Sequence, residues 1–157
     1  MKKMIVLLVT YLFAQGMMIA QERTIVKENL KFKDLTIGEL SKSIENSDEA
    51  IYFLTIESKL TSKNIMTLGK IDDAIRDVDN FLKKTQSLEP SNDLKNFEVT
   101  IGDKNYNAAV TKVFEEIIIV LYPEGETGQD KLIITNYAGW KVFLDELEKE
   151  KKKSKKK

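Results

Sequence analysis

The chain has 157 residues, 42% hydrophobic and 32% charged, with 25 basic residues against 25 acidic ones. It contains neither histidine nor cysteine, which excludes Ser-His-Asp and Cys-His nucleophilic machinery, zinc sites of the usual Cys/His type, and disulfides. The balanced charge hides an asymmetry. All the acidic residues fall within 21–150, giving that body a net charge of about −8, and lysines crowd the last seven positions.

Residues 1–20 have the three parts of a secretory signal peptide: Lys2 and Lys3, then the apolar run 5–13, then small residues. Cleavage fits after Gly16 or after Ala20. The second is preferred, because Met17-Met18-Ile19 would be an odd apolar mature terminus. The alternative is an uncleaved anchor, but the run 4–20 contains Gln15 and falls short of the roughly 20 apolar residues that a span needs. No cysteine follows it, so acylation after cleavage is not expected. The mature chain is therefore expected in the periplasm, at the cell surface or secreted. No second transmembrane candidate follows, since 117–122 is too short.

Residues 21–32 read as a polar leader or first edge element. Leu35, Leu40 and Ile44 partly fit a helical face, so 34–44 is expected to be a short helix ending at Asn46-Ser47-Asp48. Residues 50–56 are β-branched and aromatic and predict a strand; 60–64 is a turn, 65–68 a short second strand, and Gly69 a break. The clearest helix is 71–84, where Ile71, Ala74, Ile75, Val78, Phe81 and Leu82 recur at spacings of three and four. Its acidic start and basic end suit the helix dipole. A linker with Pro90 follows over 87–93. Residues 97–101 alternate as a half-buried strand, 102–105 turn, and 106–113 form a hairpin partner or a helix. Residues 116–122 predict a strand buried on both faces, 123–130 a hairpin loop, and 132–135 its partner. The closing helix, 138–149, carries Trp140, Phe143, Leu144 and Leu147 on one face.

The two halves echo each other. Ile51 to Leu54 resemble Ile118 to Leu121, and Ile71, Ile75 and Val78 line up with Trp140, Leu144 and Leu147. The expected fold is α+β: a largely antiparallel sheet carrying two amphipathic helices, in two strand-strand-helix halves. One domain spans 21–150, and the lysine-rich end, 151–157, is expected to be disordered. This layout resembles nucleic-acid-binding folds of the PUR and PC4 type, in which a helix follows the last strand. No binding residues carry over from that resemblance, and the acidic body and export signal oppose phosphate binding.

Four features bear on chemistry. Asp72, Asp73, Asp77 and Asp79 crowd one segment without the loop of a calcium site, and read as a solvated helix face. Glu124 and Glu126 sit on a glycine-containing hairpin tip that could take a partner; the charge is wrong for a phosphate cradle. Tyr137 and Trp140 would anchor a sugar or a protein if exposed, although the spacing of Trp140 suits a core position better. Lys151, Lys152, Lys153, Lys155, Lys156 and Lys157 could contact anionic lipid or polymer. The reading is an exported, non-catalytic binding or accessory module with no cofactor and no metal. Its partner is a protein or an envelope polymer. A carboxylate-based hydrolase and a nucleic-acid binder are the alternatives.

Overall fold

The structure, a computed structural model, describes residues 22–33, 36–44, 49–58, 61–126 and 131–155. The leader, the whole turn at 46–48, residues 127–130 of the long loop, and Lys156 and Lys157 lie outside the described residues. Among the described residues, eight strands and two helices follow in the order β1 (Thr24–Lys33), β2 (Thr36–Ile44), β3 (Ala50–Ser58), β4 (Thr61–Gly69), α1 (Ile71–Ser87), β5 (Lys95–Ile101), β6 (Lys104–Val113), β7 (Glu116–Pro123), β8 (Ile133–Asn136) and α2 (Tyr137–Ser154).

The α+β class is as expected, but there are two sheets rather than one. β1-β2-β3-β4 form sheet A and β5-β6-β7-β8 form sheet B, every neighbouring pair antiparallel. Each half is thus four strands and a helix, not two strands and a helix. A helix follows the last strand of each sheet, in keeping with the coarse layout that the sequence suggested.

The expected helix over 34–44 is strand β2. Its burial has a period of two: Thr36, Gly38 and Leu40 face inward, while Ile37 points out. Gly38 explains the ambiguity. It is a poor residue for a helix interior, and here a Cβ would stand 2.4 Å from the Phe32 ring, so the bare backbone makes room for that ring. The stretch expected as a leader or first edge element carries β1, the edge strand of sheet A, bent by register shifts, with Asn29 in the left-handed region at φ 56°. Asparagine tolerates that region better than most residues. β7 is fully buried on one face only. Ile119 and Leu121 point into the core, while Tyr122, on the other face, is exposed.

One hydrophobic core joins both halves. Leu40, Leu54 and Met66 form a buried cross-strand row in sheet A; Ala108, Leu121 and Ile133 form one in sheet B. The strand echo therefore holds in register, Leu54 answering Leu121. The helix echo does not. The buried pairs at matching places are Ala74 with Trp140 and Phe81 with Leu147, so Ile71 is not the counterpart of Trp140. Trp140 packs edge-on against Phe32, Phe81 and Phe143, with centroids 5.1, 5.0 and 5.8 Å away. Its indole N–H donates to Thr135 Oγ1 at 2.9 Å, so the one polar atom of the ring is satisfied in the core.

The halves also lock through backbone. The β5–β6 turn sits on the end of β4: Asp103 N donates to the Thr67 carbonyl at 3.1 Å, and Gly102 N donates to Asp77 Oδ2 at 3.2 Å. α2 starts against β1, capped by Asn136, whose Oδ1 accepts from Gly139 N at 2.8 Å. α2 runs to Ser154, past the expected end at Lys149, and residues 151–154 are helical rather than disordered.

Candidate functional site

The start of α1 and the end of α2 meet, because the helices run antiparallel: Lys151 Nζ lies 2.6 Å from Asp72 Oδ1, and at the opposite end Tyr137 Oη lies 3.4 Å from Gln86 Oε1. Where Lys151 meets Asp72, a cleft of about 750 Å³ opens beside β2 and β3. Its innermost acid is Glu150, a buried carboxylate that accepts from Lys42 Nζ at 2.6 Å. A carboxylate removed from water needs such a partner. Tyr52 adjoins it. Burial, then the Glu150 charge, then a hydrogen bond to Glu150 push the Tyr52 phenol up to about 12.

The other acids of this cleft are held in the same manner. Glu49 is bound by Lys70, whose pKa this hydrogen bond raises, and Asp73 by Arg76 at 2.7 Å. The hydrogen bond from Lys151 holds the Asp72 carboxyl below its ordinary value. Every carboxylate lining the cleft is thus engaged by a cation.

A different surface has side chains left free. On the outward face of sheet B, Glu98, Asn107 and Tyr122 form one cross-strand row over β5, β6 and β7. The parallel row is Asn96, Ala109 and Val120. The small Ala109 leaves a depression of about 680 Å³ bounded by Asn96, Glu98, Asn107, Tyr122 and Glu126. A second depression of about 610 Å³ shares Glu98 and Asn107 and continues toward Asp77 and Asn80 of α1. The side chains of Asn96, Glu98, Asn107 and Tyr122 make no hydrogen bond among the described residues, and Tyr122 is 44% exposed.

The structure scatters the residues singled out in the sequence. Trp140 is fully buried and cannot anchor a partner; its helical spacing with Phe143 and Leu147 carried that signal. Tyr137 is half-buried at the start of α2, beside the exposed Phe114 at the β6–β7 tip. Glu124 and Glu126 border the depressions of sheet B, with Glu126 3.3 Å from Lys104 Nζ. Lys151 and Lys153 turn toward Asp72 and Glu150, the latter at 4.0 Å, while Lys152 and Lys155 are exposed. Of the helix aspartates, Asp73 and Asp77 share Arg76 and Asp79 pairs with Lys83. Among the described residues no three potential ligands converge as a metal site, and no helix is long and apolar enough to cross a membrane.

Sequence reasoning missed Tyr52, Lys42 and Glu150, and on sheet B missed Tyr122, Asn107 and Glu98. The alternation in 97–101 did place Glu98 outward. Nothing local marked the others. No protein-family model matches the chain, and no curated protein matches it in sequence.

Proposed function

We propose that the protein is an exported, non-catalytic binding or accessory module of the cell envelope. The leader at residues 1–20 supports export. The observation that carries the non-catalytic half is the state of the charged cleft. General acid–base work needs a carboxylate within reach of substrate and able to exchange its proton near working pH. Glu49, Asp72, Asp73 and Glu150 are each tied to a lysine or arginine instead. The cleft reads as a clamp between helix ends. The free polar side chains of sheet B are better suited to holding a ligand than to attacking one. Nucleic-acid binding, suggested by the layout of four strands and a helix repeated twice, is the weaker reading because carboxylates line the open face of sheet B.

Fractionation of expressing cells, with intact-mass analysis, tests export. A mass starting at Gln21 outside the cytoplasm supports the proposal, and a full-length mass in the cytosol overturns it. Reproducible turnover by the purified mature chain that is lost in Glu150→Gln would overturn the non-catalytic half.

A further inference from the structure

We propose that the outward face of sheet B is a carbohydrate-binding platform that takes a neutral polysaccharide chain. The proposal rests on the envelope-binding reading and names its ligand class. Four observations combine.

Tyr122 presents a ring that is 44% exposed on a rigid central strand, where most aromatic residues of the chain are in the core. The face of an aromatic ring is electronegative and attracts the positive C–H edges of an apolar surface, and one side of a pyranose is such a surface. Asn107 is its direct cross-strand neighbour and Glu98 the next, at steps of about 5 Å. A carboxamide both donates and accepts, and a carboxylate accepts twice. That is the complement of adjacent sugar hydroxyls, each of which also donates and accepts. Asn96 adds a second carboxamide, and Ala109 between the rows leaves the space that a ring needs.

Extent and charge point the same way. From β5 to β7 is two strand spacings, about 10 Å, and the depression is bounded by residues of all three strands. The ligand is therefore a chain rather than a single sugar. Glu98, Glu124 and Glu126 give the face a negative field. Its nearby lysines are occupied: Lys84 on the Glu98 carbonyl at 2.7 Å and Lys104 on Glu126. Phosphate- or carboxylate-bearing polymers would meet a net repulsion, since three carboxylates outnumber Lys84 and Lys104 there, whereas neutral or amino sugars would not. The carboxamides and the Tyr122 hydroxyl have no hydrogen-bond partner among the described residues, so none of those contacts is lost when a ligand arrives.

The test is an amide-resolved NMR titration of the mature chain, residues 21–157. The probes are neutral and amino-sugar hexasaccharides at about 10 mM each, with oligo-dT as the anionic control. The expected result is saturable shifts confined to β5, β6 and β7 with at least one hexasaccharide. Tyr122→Ala should weaken that binding by about tenfold or more, Asn107→Ala should weaken it less, and Tyr137→Ala should leave it unchanged. Tyr122→Phe, which keeps the ring, should retain most of the affinity and guards against misfolding of the Ala variant. No shift with any hexasaccharide, shifts elsewhere in the fold, binding that survives Tyr122→Ala, or saturation by oligo-dT instead would each overturn the proposal. The export reading would stand through any of these, since it is read from mass and fractionation.

Discussion

Gly102→Ala tests the junction between the two halves. Gly102 has φ +63°, and a Cβ there would lie 1.8 Å from the Thr67 carbonyl oxygen, 2.7 Å from its carbon and 2.9 Å from Leu68 Cα. All three are backbone atoms of β4, so no side chain can swing away. Gly125 is the matched control: φ is +77°, but nothing lies within 4 Å of its Cβ position. An alanine in the left-handed region costs about 1–2 kcal/mol, offset by about 0.4–1 kcal/mol from the stiffer unfolded chain. Gly125→Ala should therefore cost about 1 kcal/mol. Gly102→Ala bears the same conformational cost and must also lift the β5–β6 turn off β4. That breaks the Asp103 N–H bond to Thr67 and strains the charge-assisted bond from Gly102 N to Asp77. Bonds of these kinds contribute about 1 and 1.5–3 kcal/mol, so a total loss of about 4 kcal/mol is expected. Urea unfolding of the mature chain, followed by fluorescence of the buried Trp140, the only tryptophan, reads both. A Gly102→Ala variant within about 0.5 kcal/mol of Gly125→Ala would refute this account of how the halves join.

Three further outcomes are expected. Lys33, and then Asn136, hold the Glu116 carboxyl below its ordinary value near 4.5; a lowered folded pKa gives stability that is present above the unfolded value and lost as pH falls through the folded one. The stability gap between wild type and Glu116→Gln should then shrink as urea titrations move from neutral pH to below about 4, and a pH-independent gap would contradict it. Tyr52 has the opposite sign: its phenol, raised from 10.0 to about 12, gives stability that is full below about pH 10 and lost as pH rises toward 12. Tyr52→Phe should flatten part of that alkaline loss in urea midpoints, and an unchanged slope would tell against a phenol raised by burial and by Glu150. Phe114 is 91% exposed at φ 54°, so Phe114→Asn should raise stability by about 0.5–1 kcal/mol by relieving the backbone; a clear loss in the same assay would mean that the ring is packed.

What was legible in the sequence was whatever repeats locally. The three-and-four spacing of Ala74, Val78, Phe81 and Leu82 gave α1, and the same spacing set Trp140 beside Phe143 and Leu147 in the core. The alternation from Phe97 to Ile101 gave both faces of β5. β2 was misread because Leu40 and Ile44 stand one helical turn apart while Gly38, a residue that no helix favours, serves the Phe32 ring from another strand. The charged cleft was illegible for a plainer reason: Lys42 and Glu150 stand 108 positions apart. The open face of sheet B was hidden by pairing register, since Glu98, Asn107 and Tyr122 become neighbours only once three strands are aligned.

The lysine-rich end shows how register changes the meaning of a motif. As a string, six lysines in seven residues suggest a self-repelling end free to search for anions. In the structure, residues 151–154 continue the helix and are sorted by angle. Lys151 meets Asp72 on α1, and Lys153 turns toward the buried Glu150, already held by Lys42 from sheet A. Positive charge at a helix C-terminus is also favoured by the dipole, so the first lysines stabilise the helix that carries them. Their nearest counter-charges belong to α1 and to α2 itself, and the clamp they complete ties α2 to α1 and β2. Among the described lysines of this end, Lys152, Lys153 and Lys155 stay exposed to an outside anion. The acidic sheet B and the basic helix end therefore divide the surface by chemistry: among the described residues Glu98, Asn107 and Tyr122 of the first make no internal hydrogen bond, while the second is partly consumed by internal pairs.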